Sequence, residues 1–153
     1  NAGALGSLRS IGPNGESMQL VDMASIHQLE LRLREVDLDP QQLWTDPESW
    51  RALSRYVDPW LGQTAQELAK AALSTCSVID FEAILIDGAF PASVREDLVN
   101  RVRRYVVNQD TRGLIQPVIE AGSIGRKARA IGAATRPVGA QFMLNGNPTA
   151  LRN

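Results

Sequence analysis

The architecture of this chain follows from one short stretch, Phe81-Glu82-Ala83-Ile84-Leu85-Ile86-Asp87-Gly88. Its centre is the aliphatic run 83–86, and an Asp-Gly pair closes it. A short apolar run that ends at glycine is typical of a buried strand, as found in parallel sheets. We therefore predict a strand over 78–86 in the interior of an α/β protein.

The residues after this strand predict an alternation of helix and strand. Positions 93–96 have the spacing of a capping box, and valine or leucine then recurs at helical spacing, at 94, 98, 102 and 106. A second strand is predicted over 114–121, although Pro117 cannot donate to a sheet ladder and indicates an edge or a bulge. The pattern over 128–143 predicts a helix rich in small residues. Strand, helix, strand and helix in this order indicate α/β layering.

The first half of the chain predicts loops and helices without a paired strand. Residues 1–17 are rich in Gly, Ser and Asn, which favours turns with at most a short extended piece. Three Asp-Pro pairs each indicate a helix start, because Asp caps a first turn and Pro fits the position after it. The helices predicted in this half span 23–35, 40–44, 47–57 and 59–76.

The chain is expected to form a single domain in three parts. These are a loop and helical part over 1–76, a β-α-β-α part over 77–143 and a tail over 144–153. A sheet of two strands is thin, since independent stability generally needs at least ~3 strands or firm helical cover. We therefore expect a fragment of a larger α/β protein, or a chain that dimerises.

Composition and charge exclude several classes of protein. The 153 residues are 44% hydrophobic and 22% charged, which is typical of a globular rather than a disordered chain. A net charge of -1 lacks the basic field of a nucleic-acid-binding domain. The single cysteine excludes an internal disulfide and a multi-cysteine zinc site. No aliphatic run approaches the ~20 residues of a membrane span, and no secretory leader is visible. We therefore expect a cytoplasmic chain with no membrane partner.

Two turns are candidates for ligand binding. Asp87-Gly88-Ala89 follows the first predicted strand, where open α/β sheets bind ligands and glycine allows close backbone approach. An ordinary strand-to-helix turn is the alternative at this position. The segment Gly122-Ser123-Ile124-Gly125-Arg126-Lys127 precedes the last predicted helix, and helix N-termini attract anions. It lacks the spacing of a Walker A motif, so a structural turn is the favoured interpretation.

The remaining polar residues indicate no catalytic site. The arginines of one predicted helix, at 95, 101, 103 and 104, favour a solvated helix face over a surface that tracks phosphates. The only histidine, His27, favours a surface or structural role, and Cys76 favours that of a buried small hydrophobe. With one histidine, no Ser-His-Asp or Cys-His set can be argued. We therefore assign no catalytic residue and no metal ligand.

Three segments in series resemble the C-terminal part of the ROK family, which contains bacterial sugar kinases and sugar-responsive transcriptional repressors. Asn1-Ala2-Gly3-Ala4-Leu5-Gly6-Ser7 resembles the family's N-A-G-E-L-G-H segment, and residues 81–89 are similar to its strand ending in G-G. Ala128-Arg129-Ala130-Ile131-Gly132-Ala133-Ala134 is similar to its closing A-x-A-I-G-A-A helix. The order and spacing agree over nearly the whole chain. The resemblance implies an α/β, helix-rich fragment of an actin/hexokinase-like (ribonuclease H-like) lobe with a helical insertion.

The resemblance also implies a sugar site near the start of the chain, with departures from the family pattern. The sugar-binding positions that it implies are Asn1, Gly3, Ser7 and Asp22. The family's sugar-binding Glu falls on Ala4 and its His on Ser7, while a further Glu falls on Val21, beside Asp22. Alanine and valine cannot hydrogen-bond a sugar hydroxyl through their side chains, so ordinary sugar recognition is altered. The family's zinc-binding cluster falls between 7 and 20, where this chain has neither Cys nor His, so no zinc is expected.

Our leading interpretation is the effector-binding and dimerisation part of a ROK-type transcriptional regulator. Its expected partners are a small sugar or sugar derivative and a second copy in a homodimer, with DNA bound only through an upstream domain. One alternative is an ATP-dependent sugar kinase, in which Asp87-Gly88-Ala89 borders the adenosine site and ATP and Mg²⁺ are cofactors. The family's catalytic Asp and phosphate-binding glycines lie upstream, so the chain alone should not phosphorylate a sugar. A ligand-free structural or interaction domain is the other alternative.

Overall fold

The computed structural model describes residues 5–12 and 14–127, with the backbone alone at Arg126. The α-helices in this part are α1 (Leu20–Met23), α2 (Ile26–Arg34), α3 (Gln42–Thr45), α4 (Ser49–Ala52), α5 (Ser54–Cys76) and α6 (Ala92–Val107). The strands are β1 (Arg9–Ile11), β2 (Ser17–Gln19), β3 (Ala83–Ile86) and β4 (Val118–Ala121). Short 3-10 helices span Leu5–Ser7 and Gly125–Lys127. The predicted helix over 128–143 and the tail over 144–153 lie outside the described residues.

The strands form two separate two-stranded sheets. β3 and β4 are parallel, with Ala83 opposite Val118 and Ile86 opposite Ala121, and this pairing confirms the predicted parallel sheet. β1 and β2 form an antiparallel hairpin, so the expectation that the first half holds no paired strand is wrong. The hairpin is fixed to α5 by a contact distant in sequence, since Ser10 Oγ donates to Glu67 Oε2 at 2.7 Å.

The first two Asp-Pro pairs begin helical turns, as predicted, but the single helix predicted over 47–57 is wrong, because α4 ends at Ala52 and α5 begins at Ser54. Asp39 Oδ1 accepts a hydrogen bond from the N–H of Gln41 at 2.9 Å, just before α3. Asp46 Oδ1 accepts one from the N–H of Glu48 at 3.0 Å, just before α4. Each carboxylate therefore satisfies a backbone donor of a first turn, which otherwise lacks a partner within the helix.

The helix start predicted at the third pair, Asp58-Pro59, is wrong. α5 begins at Ser54 and continues through Pro59 to Cys76. An interior proline removes one helical hydrogen bond and costs ~3 kcal/mol or more. Val57 and Trp60, on either side of the pair, are 3% and 1% exposed, and their burial in the core offsets that cost.

α6 carries the apolar stripe that its sequence predicts, but it starts differently. Leu98, Val102 and Val106 are buried and face the core from successive turns. The capping box predicted at 93–96 is wrong, because the helix already begins at Ala92, after Pro91 in extended conformation. Among the described residues, no side chain caps this end of the helix.

The core lies between α5, α6 and one face of the β3–β4 sheet. The rings of Trp50, Trp60 and Phe90 pack against one another with centroid distances of 6.1, 6.0 and 6.3 Å. Ile119 of β4 is buried in the same cluster. The opposite face of the sheet carries exposed apolar side chains, with Leu85 66% and Val118 55% exposed. The prediction of a buried strand over 78–86 is therefore wrong, because β3 is shorter and only one of its faces packs against the core. None of the helices in the described part of the chain has the length and hydropathy to cross a membrane.

Candidate functional site

The carboxyl ends of β3 and β4 lie at the same edge of their sheet because the strands are parallel. The turn Asp87-Gly88-Ala89 follows β3, and Gly122-Ser123-Ile124-Gly125 follows β4. The N–H of Gly122 donates to the carbonyl oxygen of Ile86 at 2.8 Å, which holds the two turns side by side. The two candidate turns of the sequence therefore form one site.

The Asp87 carboxylate is the centre of this site. Its Oδ2 accepts hydrogen bonds from the N–H groups of Ile124 and Gly125, both at 3.0 Å. Its Oδ1 accepts one from the N–H of Gly88 at 2.8 Å and another from Arg95 Nη1. We name the set Asp87, Arg95, Ile124 and Gly125 the Asp87 clamp.

Arg95 holds the clamp from the first turn of α6. The residue is 8% exposed, and a buried guanidinium needs a charged partner to offset its lost hydration. The solvated face predicted for the arginines of this helix is therefore wrong for Arg95. The neighbouring Arg101 donates to Asp97 Oδ2 at 2.9 Å and to Asp58 Oδ1 at 3.1 Å, so it too is paired within the chain.

The clamp stabilises the ionised form of its carboxylate. The pKa of Asp87 falls from its ordinary 3.8 to about 2. The largest cause is the hydrogen bond from the N–H of Gly125, followed by that from the Arg95 side chain and then those from the N–H groups of Gly88 and Ile124. Partial desolvation acts in the opposite direction and is outweighed.

This pKa predicts an acid-dependent loss of stability. Below pH 3.8 the unfolded chain protonates Asp87, whereas the folded chain does so only near pH 2, so protons bind preferentially to the unfolded state in this window. The contribution of Asp87 is fully present above about pH 4 and is lost as the pH falls towards about 2. Urea midpoints measured from neutral to acid pH should therefore fall less steeply for Asp87→Asn than for the wild type. Parallel profiles would contradict this role.

Two glycines allow the second turn to wrap around the carboxylate. A Cβ at Gly122 would lie 2.6 Å from the Cβ of Asp87, which is closer than two non-bonded carbon atoms approach. Gly125 has a φ of +55°, a left-handed backbone conformation that residues other than glycine rarely adopt. The Gly-x-x-Gly spacing of this turn is thus required for its contact with Asp87.

The geometry of the clamp determines which ligands suit it. Concave arrays of backbone N–H groups bind anions, and here the anion is the chain's own carboxylate. In the described geometry an external anion finds no free donor at Ile124 or Gly125, since both N–H groups already point to Asp87 and two negative charges repel. Ala89, the third candidate position, is partly buried in the bend after Gly88.

The segments that carry the implied sugar positions are also brought together. Ser7 is exposed on the first 3-10 helix, and Asp22 is exposed on α1. These two elements pack closely, because a Cβ at Gly6 would lie 3.2 Å from the Cβ of Val21. Asn1 and Gly3 lie outside the described residues.

Isolated ionisable groups add no further site. His27 is a surface residue with a 60% exposed side chain, 3.5 Å from Glu30, and Cys76 is buried, which confirms both interpretations. Over residues 5–12 and 14–127, no group of three or more His, Cys, Asp or Glu side chains is placed to hold a metal ion.

An apolar pocket of about 280 Å³ lies between the two candidate regions. Leu5 lines it from the first 3-10 helix, and Asp87 and Phe90 line it beside the clamp. Thr64 of α5 is also in its wall, although no prediction from the sequence included it. The available signal was its spacing, since a threonine stands four residues from both Trp60 and Leu68 on an otherwise apolar helix face.

A parallel strand pair backed by two long helices, with a loop site at its carboxyl edge, defines an α/β lobe. Over the part that it spans, this lobe has the ROK hexokinase-like fold, which is an actin-like ATPase fold. The predicted fold class is therefore confirmed, and two of the solved structures that the chain resembles are those of ROK proteins.

The crystal structure of a ROK hexokinase from Thermus thermophilus is similar over 88% of this chain and 48% of that chain, with a TM-score of 0.57 and 20% identity. A ROK family protein from Streptococcus pneumoniae TIGR4 in complex with sucrose is similar over 92% and 50%, with a TM-score of 0.64 and 18% identity. This chain thus spans about half the length of these solved structures. No protein-family model matches the sequence, and no curated protein matches it significantly. At these identities the likeness establishes the fold alone.

Proposed function

We propose that this chain is the C-terminal effector-binding and dimerisation part of a ROK-family transcriptional regulator that responds to a sugar or sugar derivative. The regulator would act in the cytoplasm as a homodimer. Its contact with DNA would come from an upstream domain, since the chain's net charge of -1 offers no broad basic field. The fold supports the proposal, because two similar solved structures are those of ROK proteins.

The departures from the family's sugar-binding pattern at positions 4, 7 and 21 favour a regulator over a kinase. The Asp87 clamp adds that the turn after β4 offers no free anion site. Nucleotide phosphates are commonly bound by backbone N–H groups in turns that follow strands. In this chain the N–H groups of Ile124 and Gly125 donate to a carboxylate that belongs to the chain itself. The buried Arg95, which could pair with a phosphate, is bound to the same carboxylate. The groups of this turn that could bind an anion thus stabilise the fold instead.

The contact between the first 3-10 helix and α1 supports a retained effector site. It places Ser7 and Asp22 on two elements that pack through Gly6 and Val21. Both polar residues are exposed and are free to contact a ligand that lies against these elements. We propose that Ser7 and Asp22, with Asn1 and Gly3, bind sugar hydroxyls. A similar solved protein is in complex with sucrose, which makes a saccharide the first ligand class to test.

The proposed mechanism is a shift between conformations. A ligand stabilises the state that it binds more tightly, by no more than the difference between its affinities for the two states. A sugar held by the N-terminal segment would favour a closed arrangement of the full-length protein. In a dimer, this closure would change the spacing of the two DNA-binding heads.

An ATP-dependent sugar kinase is the second candidate, because one solved neighbour is a ROK hexokinase. In that case ATP and Mg²⁺ would bind the full-length protein, and Asp87-Gly88-Ala89 would border the adenosine. The groups that bind the phosphates would lie upstream of this chain, as the resemblance implies.

Thermal unfolding of the full-length protein separates these candidates. A ligand that binds only the folded state raises the unfolding temperature, because it adds to the free energy of unfolding. At a concentration 100 times its Kd it adds ~2.7 kcal/mol. We expect at least one of glucose, N-acetylglucosamine and sucrose to raise this temperature, and we expect MgATP to leave it unchanged. The sugar-induced shift should disappear in Asp22→Ala. It should persist in Asp110→Ala, which removes an exposed carboxylate from the loop after α6.

Each of the other outcomes supports a different function for the protein. Stabilisation by MgATP, together with transfer of phosphate to a sugar, would overturn the regulator in favour of the kinase. No shift with any sugar or with MgATP would overturn both, and would leave a structural or interaction domain. A sugar shift that Asp22→Ala does not change would place the effector away from the α1 segment.

A further inference from the structure

The apolar pocket beneath β3 is chemically unlike a sugar site. Its wall is formed mainly by aliphatic and aromatic side chains from α5, α6, β3 and β4, among them Trp60, Leu68, Ile84, Ile86 and Ile119. Its volume is about 280 Å³. An engineered apolar cavity of ~150 Å³ in another protein binds benzene, so this pocket has room for a somewhat larger molecule.

One hydroxyl in the pocket wall is buried and unsatisfied. Thr64 is 2% exposed, and within the described part of the chain its Oγ1 has no hydrogen-bond partner. A helical threonine commonly donates to the carbonyl four residues earlier, and Thr75 of the same helix does so, to Ala71 O at 2.7 Å. Thr64 lacks this local bond. A buried hydroxyl without a partner costs about 1–3 kcal/mol, so a ligand that supplies one is favoured.

We infer that this pocket binds a small, neutral, largely apolar molecule that carries one hydroxyl group, with Thr64 Oγ1 as its hydrogen-bond partner. The aliphatic and aromatic wall excludes a saccharide, because most sugar hydroxyls would be desolvated there without partners. A substituted phenol or a short-chain alcohol has the required combination of apolar area and a single polar group. This site is distinct from the proposed sugar site and does not depend on it.

A matched pair of probes tests the role of the hydroxyl in the full chain. Toluene and p-cresol differ by one hydroxyl, and both are small enough for the pocket. Titration followed by NMR should show shifts at pocket residues with both probes and tighter binding of p-cresol. In Thr64→Val the affinity for p-cresol should fall roughly three- to tenfold, as expected for one lost hydrogen bond, and that for toluene should stay within about twofold.

Thr64→Ser is the control, because it keeps the hydroxyl and removes only a methyl group. It should retain the preference for p-cresol over toluene, even if both bind more weakly. Failure of both probes to shift pocket residues in the folded wild type would overturn the inference, since the pocket would then be filled by the chain itself. Equal loss of both probes in Thr64→Val, or no loss, would also overturn it. These outcomes do not bear on whether a sugar stabilises the protein.

Discussion

Replacing Gly122 by alanine will destabilise the protein and disrupt the Asp87 clamp. The new Cβ would lie 2.6 Å from Asp87 Cβ and 2.9 Å from Asp87 Oδ2, so either the turn or the aspartate must move. Overpacking of this kind costs typically ~1–3 kcal/mol. The displaced carboxylate would also lose donors that keep its pKa low. Urea unfolding should show the loss of stability, and the acid-dependent part of stability that belongs to Asp87 should shrink with it.

Gly62→Ala is the matched control for this substitution. Gly62 lies inside α5, and the nearest atom to its added Cβ is Arg101 Nη1 at 4.0 Å. Because alanine is the better helix former, the change should stabilise the protein by ~0.5–1 kcal/mol. If the free energy of unfolding falls in Gly122→Ala and rises in Gly62→Ala, the contact with Asp87 explains the destabilisation and the loss of a glycine as such does not. Destabilisation of similar size at both positions would contradict the geometry of the clamp.

Trp60→Ala should have the largest effect on stability of any substitution proposed. Trp60 is 1% exposed, packs against Trp50 and Phe90, and donates from Nε1 to Ser25 O at 3.0 Å. Truncation of a buried aromatic residue costs ~3–5 kcal/mol, which is a large part of the 5–15 kcal/mol typical of a folded domain. Circular dichroism during urea unfolding measures the effect without relying on tryptophan fluorescence.

Trp44→Ala provides the comparison within the same residue type. Trp44 is only partly buried against the core, and its Nε1 donates to Glu30 Oε1 at 2.8 Å. Trp44→Ala removes less buried apolar area than Trp60→Ala does, so the loss of stability should be clearly smaller. An equal loss of stability in the two variants would show that the aromatic cluster around Trp60 is not the centre of the core.

The part of the fold that the sequence predicts is the part that carries strong periodic signals. The run 83–86 has no polar residue and forms β3. The stripe of α6 repeats over several turns, so a local shift at the helix start leaves its buried face unchanged. The resemblance to ROK proteins rests on segments in series, and their common order made the fold class predictable where each motif alone would not.

The hairpin was missed because its strands carry no such signal. β1 and β2 have three residues each, and they do not alternate clearly between apolar and polar side chains. Their position depends on contacts across the chain, such as Ser10 with Glu67, that no local window contains. The predicted start of α5 is too late in the chain for a related reason. Asp58-Pro59 is a local signal for a helix start, and the burial of Val57 and Trp60 on either side of it overrides that signal.

The candidate site was predictable as two turns but not as one cluster. Topology brings the turns together, because parallel strands end at the same edge of a sheet. The role of Arg95 was not predictable, since the surrounding arginines suggested a solvated face and its partner Asp87 lies outside the helix. Thr64 was not singled out, because a missing hydrogen-bond partner is a property of three-dimensional packing alone.

The most direct test of this account is an NMR titration of the Asp87 side-chain carboxyl carbon and of the Ile124 and Gly125 amide protons. The carboxyl should titrate with a pKa of about 2, and both amide protons should shift with the same midpoint because they donate to that carboxylate. A midpoint near the ordinary 3.8, with amide shifts that do not follow it, would contradict the clamp. It would also show that the backbone donors of this turn are free to bind an external anion.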